Sequence, residues 1–592
     1  MASNPLFDGH TKVFGVDASS DPSENPAAYL SGAINRSFRG GINRGRPAMQ
    51  TMELSFDSDE SKEIFQKGAI NGQFAYERWR YGVNSRLIVS VHDRVLAGDI
   101  SGRQIDFKTI MTGRTPEYLH SWMVQVEDRL YYQNGIQTPM GWNGVSSSYE
   151  CEQMPIATAM AYTQGRLVVF TDDNYSIISD HIYGNGLVDT RGVEKFTEYQ
   201  QYNDLGAIAA RVQLGPIVGG LPLRQTNTIN NQGDLIVFCE KGAFSLDLSG
   251  KRSEWLFTGI DRVQMSGRGA ISHYSLTAAN EDIWYVTKQG EISSFKMERS
   301  ERSKEWGDTS LSREVQLYMN FTSEDRMQFT SSVRFDNRLL TTCAITMANS
   351  ELGGRHRFGQ GIVSLDFDKG STTQPKSGFS WDGVWTGINP VQLSVVSTLE
   401  GDRCFSCSFD EDGQNRIYEI TKSQGPDDFE GKLKSMVSMY VTPYLFEVQS
   451  PTEAPYLKTL EGVRGWVSEV YGKASIKVEY RPDFTKKWNE LNEFPFFLEK
   501  EPPFKLPINR SALQAQFQTG APGDEAEGEN LARIAQQFQI KATITGEMAV
   551  NHLIAEASYE KDGDEATDCV GVTFSKVPEG PNEEIFDYKL SK

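Results

Sequence analysis

Two cysteines three residues apart, Cys404-Phe405-Ser406-Cys407, are the first candidates for chemistry. A C-x-x-C can hold zinc or cycle between thiol and disulfide. Zinc needs a second pair, or histidines at ligand spacing, and neither stands nearby. In a strand, positions i and i+3 face opposite sides, so these thiols diverge. Two buried strand cysteines is the reading that follows. Asp410-Glu411-Asp412-Gly413 begins like a calcium loop. Gln414 and Thr421 then stand where that loop wants acidic or Asn ligands. A hairpin turn accounts for it better. Lys561-Asp562-Gly563-Asp564 is a weaker version of the same pattern.

Glycoside hydrolysis requires two carboxylates flanking the scissile bond. Acidic residues are abundant here, but no sequence pairing of them is diagnostic. Ser380-Trp381-Asp382-Gly383-Val384-Trp385 resembles the sialidase repeat Ser, any, Asp, any, Gly, any, Thr, Trp. The glycine falls one position early, the Thr is absent and there is one copy, so it reads as an aromatic turn. The histidines are scattered singly, at 10, 92, 120, 181, 273, 356 and 552. No nucleophile elbow, phosphate-binding loop or H-E-x-x-H occurs. The expected catalytic, cofactor-binding and metal-binding sets are therefore all empty, and the chain is expected not to be an enzyme.

The elements that would carry any site are easier to read. A degenerate phrase recurs seven times: a polar turn, then Arg or Asp, then an apolar run. The copies are His92-Asp93-Arg94-Val95, Glu127-Asp128-Arg129-Leu130, Gln164-Gly165-Arg166-Leu167, Gln232-Gly233-Asp234-Leu235, Glu281-Asp282-Ile283, Asp336-Asn337-Arg338-Leu339 and Gly401-Asp402-Arg403-Cys404. Each reads as a hairpin, a turn tolerant of unusual backbone angles followed by a β-branched and aromatic strand. Measured at the charged residue, the spacings are 35, 37, 68, 48, 56 and 65 residues. Strand-built repeats of that length predict a β-propeller, and uneven spacing predicts insertions between blades.

The 592 residues exceed one ordinary core, so two or three domains are expected. Residues 1–65 read as an extended N-terminal arm. Residues 66–430 read as an irregular β-propeller with inter-blade insertions near 184–228 and 297–320. The latter opens with a charged run, Glu298 to Glu305, that predicts a short exposed helix. Past a boundary near Ser423–Asp428, residues 431–592 read as a C-terminal β-sandwich-like domain. Its expected strands include Val437–Val441, Ile476–Tyr480, Ile540–Ile544 and His552–Ala557. The acidic loop Asp524–Glu529 separates strand groups. The fold class is all-β.

Net charge is −20, which argues against a protein held to DNA by general basic charge. Against that background, Asn25 to Met52 contains no acid and carries Arg36, Arg39, Arg44 and Arg46. These four are the candidate interface residues. They either pair with the chain's own acids or dock on a neighbouring acidic subunit. Six cysteines are too few for a disulfide scaffold, and all are expected reduced. The first residues lack the basic and apolar regions of a signal peptide, and no apolar run of about 18 residues occurs. Synthesis and folding in a cytoplasm, with no membrane span, are expected.

Several phrases also resemble those of phage tail propeller proteins. Phe38-Arg39-Gly40-Gly41-Ile42-Asn43-Arg44-Gly45-Arg46-Pro47 is similar to an early segment of that group. Ala161–Phe170 with Ser179-Asp180, and Gly233–Phe244, are similar to its blade phrases. Val478–Asp483 with Trp488 is similar to a phrase of its C-terminal β-domain. These islands span residues 35–490, in order. The resemblance is to the nozzle, or tail-tube-end, proteins of short-tailed bacteriophages. It implies a virion tail protein without catalysis or cofactor. It also implies a homo-oligomeric ring, usually a hexamer, assembled in the host cytoplasm. That ring meets the tail adaptor and other tail or fibre proteins, and it extends and gates the channel through which duplex DNA is ejected. Two other functions compete with this one. One is a propeller glycoside hydrolase or depolymerase acting on host surface glycan, and the other is a generic propeller interaction module. The missing sialidase boxes and the missing Trp-Asp blade endings favour the tail protein.

Overall fold

In the computed structural model the chain is mostly β, with 54% strand against 10% helix. The structure describes the chain apart from residues 1–3, 6–12, 14, 20, 23–24, 26–28, 79–81, 115–119, 185–186, 189–190, 197–207, 212–213, 224–232, 250–254, 256–261, 302–309, 369–379, 446–457, 484, 498–506, 517–533 and 560–592. The acidic loop at Asp524, the Lys561–Asp564 turn and His10 lie outside the described residues.

Seven antiparallel meander sheets follow one another along the chain. Their leading strands are Ile70–Tyr76, Trp122–Val126, Ala159–Thr163, Ile217–Pro222, Thr277–Ala279, Ser332–Phe335 and Pro390–Thr398. Along the series each leading strand packs on the next, with the fourth reaching the fifth sheet through the short helical turn His273–Ser275. The seventh packs in turn on the first. Central strands such as Arg166–Phe170 and Leu235–Cys239 are buried throughout, as strands covered on both faces must be.

The recurring phrase explains the meander. Six of its seven copies place a residue at positive φ: His92, Glu127, Gln164 with Gly165, Glu281, Asp336 with Asn337, and Gly401. Two-residue hairpin loops whose twist matches the strands need such angles. Gln164-Gly165, Asn280-Glu281 and Asp336-Asn337 supply them at both central positions. Six copies lie between the first and second strands of a sheet; in the first sheet the phrase lies between the second and third.

The fourth strand of the seventh sheet comes from far away in sequence. Pro47–Thr51 pairs antiparallel with Asn415–Gln424, so an N-terminal strand completes the last sheet. Residues 1–65 therefore contain sheet strands and the start of the helix Asp59–Lys67. That helix begins where the Ser58 hydroxyl accepts from the Ser61 N–H, with Asp59 and Glu60 in its first turn. Two amides also stitch the first and seventh sheets. Gln392 accepts from the Gln73 N–H (2.8 Å) and donates to the Gln73 carbonyl (2.8 Å). The Gln73 side chain donates to the Phe405 carbonyl (3.1 Å) and accepts from the Cys407 N–H (2.9 Å).

The segment 184–228, expected to interrupt the rhythm, supplies the fourth strand of the third sheet, Ile208–Arg211, and the leading strand of the fourth. Its glycines hid that strand. A Cβ on Gly219 would collide with the His273 ring, and one on Gly220 would press on Phe170 and the Ile236 carbonyl. Near 297–320 the described residues form the helix Phe295–Glu301 and the short helix Gln316–Asn320. The first packs on Asp282–Val286 and Ile292–Ser294 of the three-stranded fifth sheet, and on Arg262–Ser266 of the fourth.

The sixth sheet continues into the C-terminal region. Gly32–Ile34 bridges Ser380–Trp385 to Val437–Val441, which pairs with Phe538–Tyr559. The latter runs antiparallel to the 25-residue strand Lys458–Pro482. Ile476–Tyr480 and Ile540–Ile544 are thus pieces of two long strands, and the described strands from Val437 onward join one sheet, while Lys432–Lys434 pairs in the seventh. Its buried residues, including Leu460, Val463, Val467 and Ile544, share a core with Leu339, Val363 and Trp381 of the sixth sheet.

Candidate functional site: a cavity lined by seven sheets

All seven sheets contribute to one cavity of about 690 Å³. Each leading strand, or the turn beside it, adds one to several residues, so the wall samples positions 73 to 393. The strands Ile70–Tyr76 and Trp122–Val126 enter the cavity at one end and leave it at the other. Their exits, Glu77 with Arg78 and Glu127 with Asp128, form a charged mouth. Met123, Met160, Leu221 and Leu393 form an apolar waist, and Ser121, His273, Tyr274, Ser332 and Gln392 form an uncharged polar floor.

The floor is shut. The Tyr274 hydroxyl reaches the carbonyls of Asn71 (3.3 Å) and Ser121, tying the fifth sheet to the first two. Behind it, Arg357 donates to the same Asn71 carbonyl (2.7 Å) and to Nδ1 of His120 (3.1 Å). The guanidinium lies over the Phe329 ring at 4.8 Å, and His120 stacks on that ring at 4.8 Å. Arg357 comes from Arg355–Phe358, half of a hairpin inserted between the second and third strands of the sixth sheet. Burial pushes its pKa down to about 10, and no carboxylate among the described residues pairs with it. Burial also pushes Tyr274 up to about 12 and His273 down to about 4. His120 is held well below the usual imidazole range by burial and by Arg357. At neutral pH the floor thus carries neutral imidazoles and phenol, with one cation behind them.

The mouth is different. Arg78 is tied to Asp99 at 3.1 Å. Glu127 accepts from the Tyr162 hydroxyl at 3.0 Å. Asp128 has a buried carboxylate oxygen with no hydrogen-bond partner.

The four arginines picked out in sequence lie away from this cavity, where the N-terminal segment meets the sixth and seventh sheets and the C-terminal strands. Arg46 is buried and grips Asp427 with two bonds (2.8 and 2.7 Å), while donating to the carbonyls of Thr386 and Pro47 (2.8 Å each). Arg36 is buried on Asn43 (2.6 Å to both its side-chain and main-chain oxygens) and Ser438 (3.2 Å). Burial lowers its pKa to about 10, against the pull of Tyr440 and Glu547. Glu547, buried close by, is pushed up to about 7. Arg39 bridges Asp366 (2.7 Å) and Asp336 (2.8 Å). Arg44 stands on Arg44–Gly45, which pairs with Arg36–Ser37.

The remaining sequence candidates take structural places. Cys404 packs with Leu340 and Ile420, and Cys407 with Phe405 and Ile417, in separate clusters. Asp410 closes its own turn, accepting from the Gln414 N–H (2.7 Å) and pairing with Arg416 (3.0 Å). Ser380–Trp385 is the fourth strand of the sixth sheet. Its buried Asp382 accepts from the Phe38 N–H (3.0 Å) and Ser364 hydroxyl (3.0 Å), and burial raises its pKa to about 6. Among the described residues no group of three or more His, Cys, Asp or Glu is placed to hold a metal, and no helix is long and apolar enough to cross a membrane.

Sequence reasoning named Glu127 and Asp128 only as a turn and passed over Gln73, Gln392, Tyr274 and Arg357. The cavity takes a few residues from each of seven strands, so no local motif encodes it.

The class these features define is a mostly-β protein of many sheets. No family model matches the chain, and no curated protein matches it. Among solved structures it is similar to the computationally designed Ika8 protein, with 11% identity and a TM-score of 0.31 over 62% of this chain and 100% of that one. At that score the likeness carries no weight for fold or function.

Proposed function

We propose that the seven meander sheets are the blades of a β-propeller closed by the N-terminal strand Pro47–Thr51. We further propose that the protein is a structural, non-catalytic component of a virion tail. In this reading it is the nozzle of a short-tailed phage, built as a ring of several copies around the path of ejected DNA. The carrying observation is that the leading strands of the seven sheets pack on one another in series, the fourth reaching the fifth sheet through the turn His273–Ser275, and that the seventh packs back on the first. In a ring of several copies the conduit lies between copies. The phrases that resemble nozzle proteins also fall on distinct structural units. Phe38–Pro47 lies at the junction of propeller and C-terminal sheet. Ala161–Phe170 is the first hairpin of the third sheet, Gly233–Phe244 the central hairpin of the fourth, and Val478–Pro482 the end of a long strand. There Arg481 lies over Trp488 at 4.6 Å. The long C-terminal strands offer surface to neighbouring copies and to the tail adaptor.

The charge of −20 suits a conduit, because non-specific grip on DNA comes from Lys and Arg contacts that release counterions. The test is a salt series of binding to long duplex DNA. Affinity weaker than the roughly 10⁻⁴–10⁻⁶ M of ordinary non-specific binders is expected near physiological salt. Micromolar binding that weakens steeply with salt would overturn the conduit and favour a DNA-anchoring protein.

A further inference from the structure

We propose that the inserted hairpin Thr346–Phe358 is a hinged plug, which swings away from the floor of the cavity without the seven sheets coming apart. Three features make it movable. The first is its loose attachment. Its strands Thr346–Asn349 and Arg355–Phe358 pair with each other and with no other described strand. At its far end the Ser350 hydroxyl donates to the Lys67 carbonyl (2.6 Å), and Glu351 meets Lys67 in an exposed pair (3.7 Å). Exposed pairs of that kind hold little in water.

The second feature is a strained base. Ala344 sits at φ +53°, a left-handed conformation that is costly for any residue with a Cβ. Gly359 stands on the other leg, where a Cβ would come within 2.9 Å of the Cys343 carbonyl oxygen. Backbone strain of this sort collects at switch regions. The third feature is the face pressed against the body. Arg357 is buried, and no carboxylate among the described residues pairs with it. It donates to Nδ1 of His120 (3.1 Å) and to the Asn71 carbonyl (2.7 Å). That carbonyl already accepts from the Ser121 N–H (3.0 Å) and the Tyr274 hydroxyl (3.3 Å). A carbonyl has two lone pairs, so the guanidinium adds little there. Nδ1 of the adjacent His356 is buried with no partner. The desolvation of both groups is relieved when the hairpin swings out. Ring contacts oppose this and seat the plug: Arg357 over Phe329 at 4.8 Å, and His356 on Phe409 at 4.3 Å. The balance puts the hairpin among the local units that open well below global unfolding. The motion belongs to one chain, so its failure leaves the ring untouched.

Hydrogen exchange on the full chain tests it. Amides of Thr346–Phe358 should exchange about tenfold or more faster than those of Arg338–Cys343 and Gly361–Asp366, the strands on either side of the insertion. Arg357→Met and Arg357→Leu fill the same space without the charge. At least one should slow exchange of the hairpin about tenfold and leave the flanking strands unchanged. An Arg357 that merely anchors the hairpin would give faster exchange in both variants. Hairpin protection equal to that of the flanking strands, or exchange that neither variant slows, would overturn the plug.

Discussion

The N-terminal junction and the cavity lined by seven sheets use the same residue types to opposite ends. At the junction, Arg46 is buried with Asp427 in a two-bond grip, and Arg39 spans Asp336 and Asp366. The ion pairs there join segments hundreds of residues apart. Around the cavity, one carboxylate oxygen of Asp128 and Nδ1 of His273 are buried without a hydrogen-bond partner. A satisfied buried charge fixes structure, because removing one partner strands the other in a low dielectric. An unsatisfied buried polar group instead costs stability, because nothing offsets its desolvation. The junction is where this chain holds itself together, and the cavity wall is where it carries uncompensated polar atoms.

Substitutions can break that contrast, beginning with the strongest. Arg46→Ala should cost about 3–5 kcal/mol in chemical denaturation, since Asp427 is left buried and unpaired. Pairing it with Asp427→Ala should recover part of the loss. Gln392→Ala strips partners from the Gln73 N–H and carbonyl at the contact between first and seventh sheets. It should cost about 1–3 kcal/mol, and a loss near zero would mean those sheets are not held by this contact.

Glu547 gives a smaller, pH-dependent effect. Burial raises its folded-state pKa from 4.5 to about 7, so the folded protein holds this proton more tightly than the unfolded chain. The stabilisation is fully present below about pH 4.5 and is lost as pH rises towards 7. Glu547→Gln should therefore match the wild type near pH 4.5 and exceed it by on the order of 1 kcal/mol or more at pH 8. A difference that does not change with pH would place the carboxyl in a solvated setting. His273 acts with the opposite sign. Its folded-state pKa is lowered to about 4, so the unfolded chain takes up this proton first and stability falls as pH drops from about 6.5 towards 4. The smallest expected effect is at the mouth. Asp128→Asn should change stability by under about 0.5 kcal/mol, and a large loss would make Asp128 a structural charge like Asp427.

The hairpins were readable because their turns are a local matter. A residue that tolerates positive φ, flanked by apolar strands, marks itself in sequence, and Gln164-Gly165 or Asp336-Asn337 do so plainly. The partner of the last strand was not readable, since nothing in Pro47–Thr51 names Asn415–Gln424 as its neighbour. The fourth leading strand was hidden because Gly219 and Gly220 are there for close approach rather than strand preference. Arg36, Arg39, Arg44 and Arg46 stood out by composition, yet composition alone could not separate a junction within the chain from one between chains. The cavity was the least readable feature, because Gln73, Asp128, His273 and Gln392 converge only after seven sheets have packed.

Assembly into a ring is the central claim, and native mass measurement of the purified full chain, with electron micrographs of the same sample, tests it most directly. A closed oligomer of several copies with an open centre is predicted. It should be lost or unfolded when Arg36, Arg39, Arg44 and Arg46 are all replaced by Ser. A monomer at every concentration, including in the presence of the tail adaptor, would contradict the nozzle.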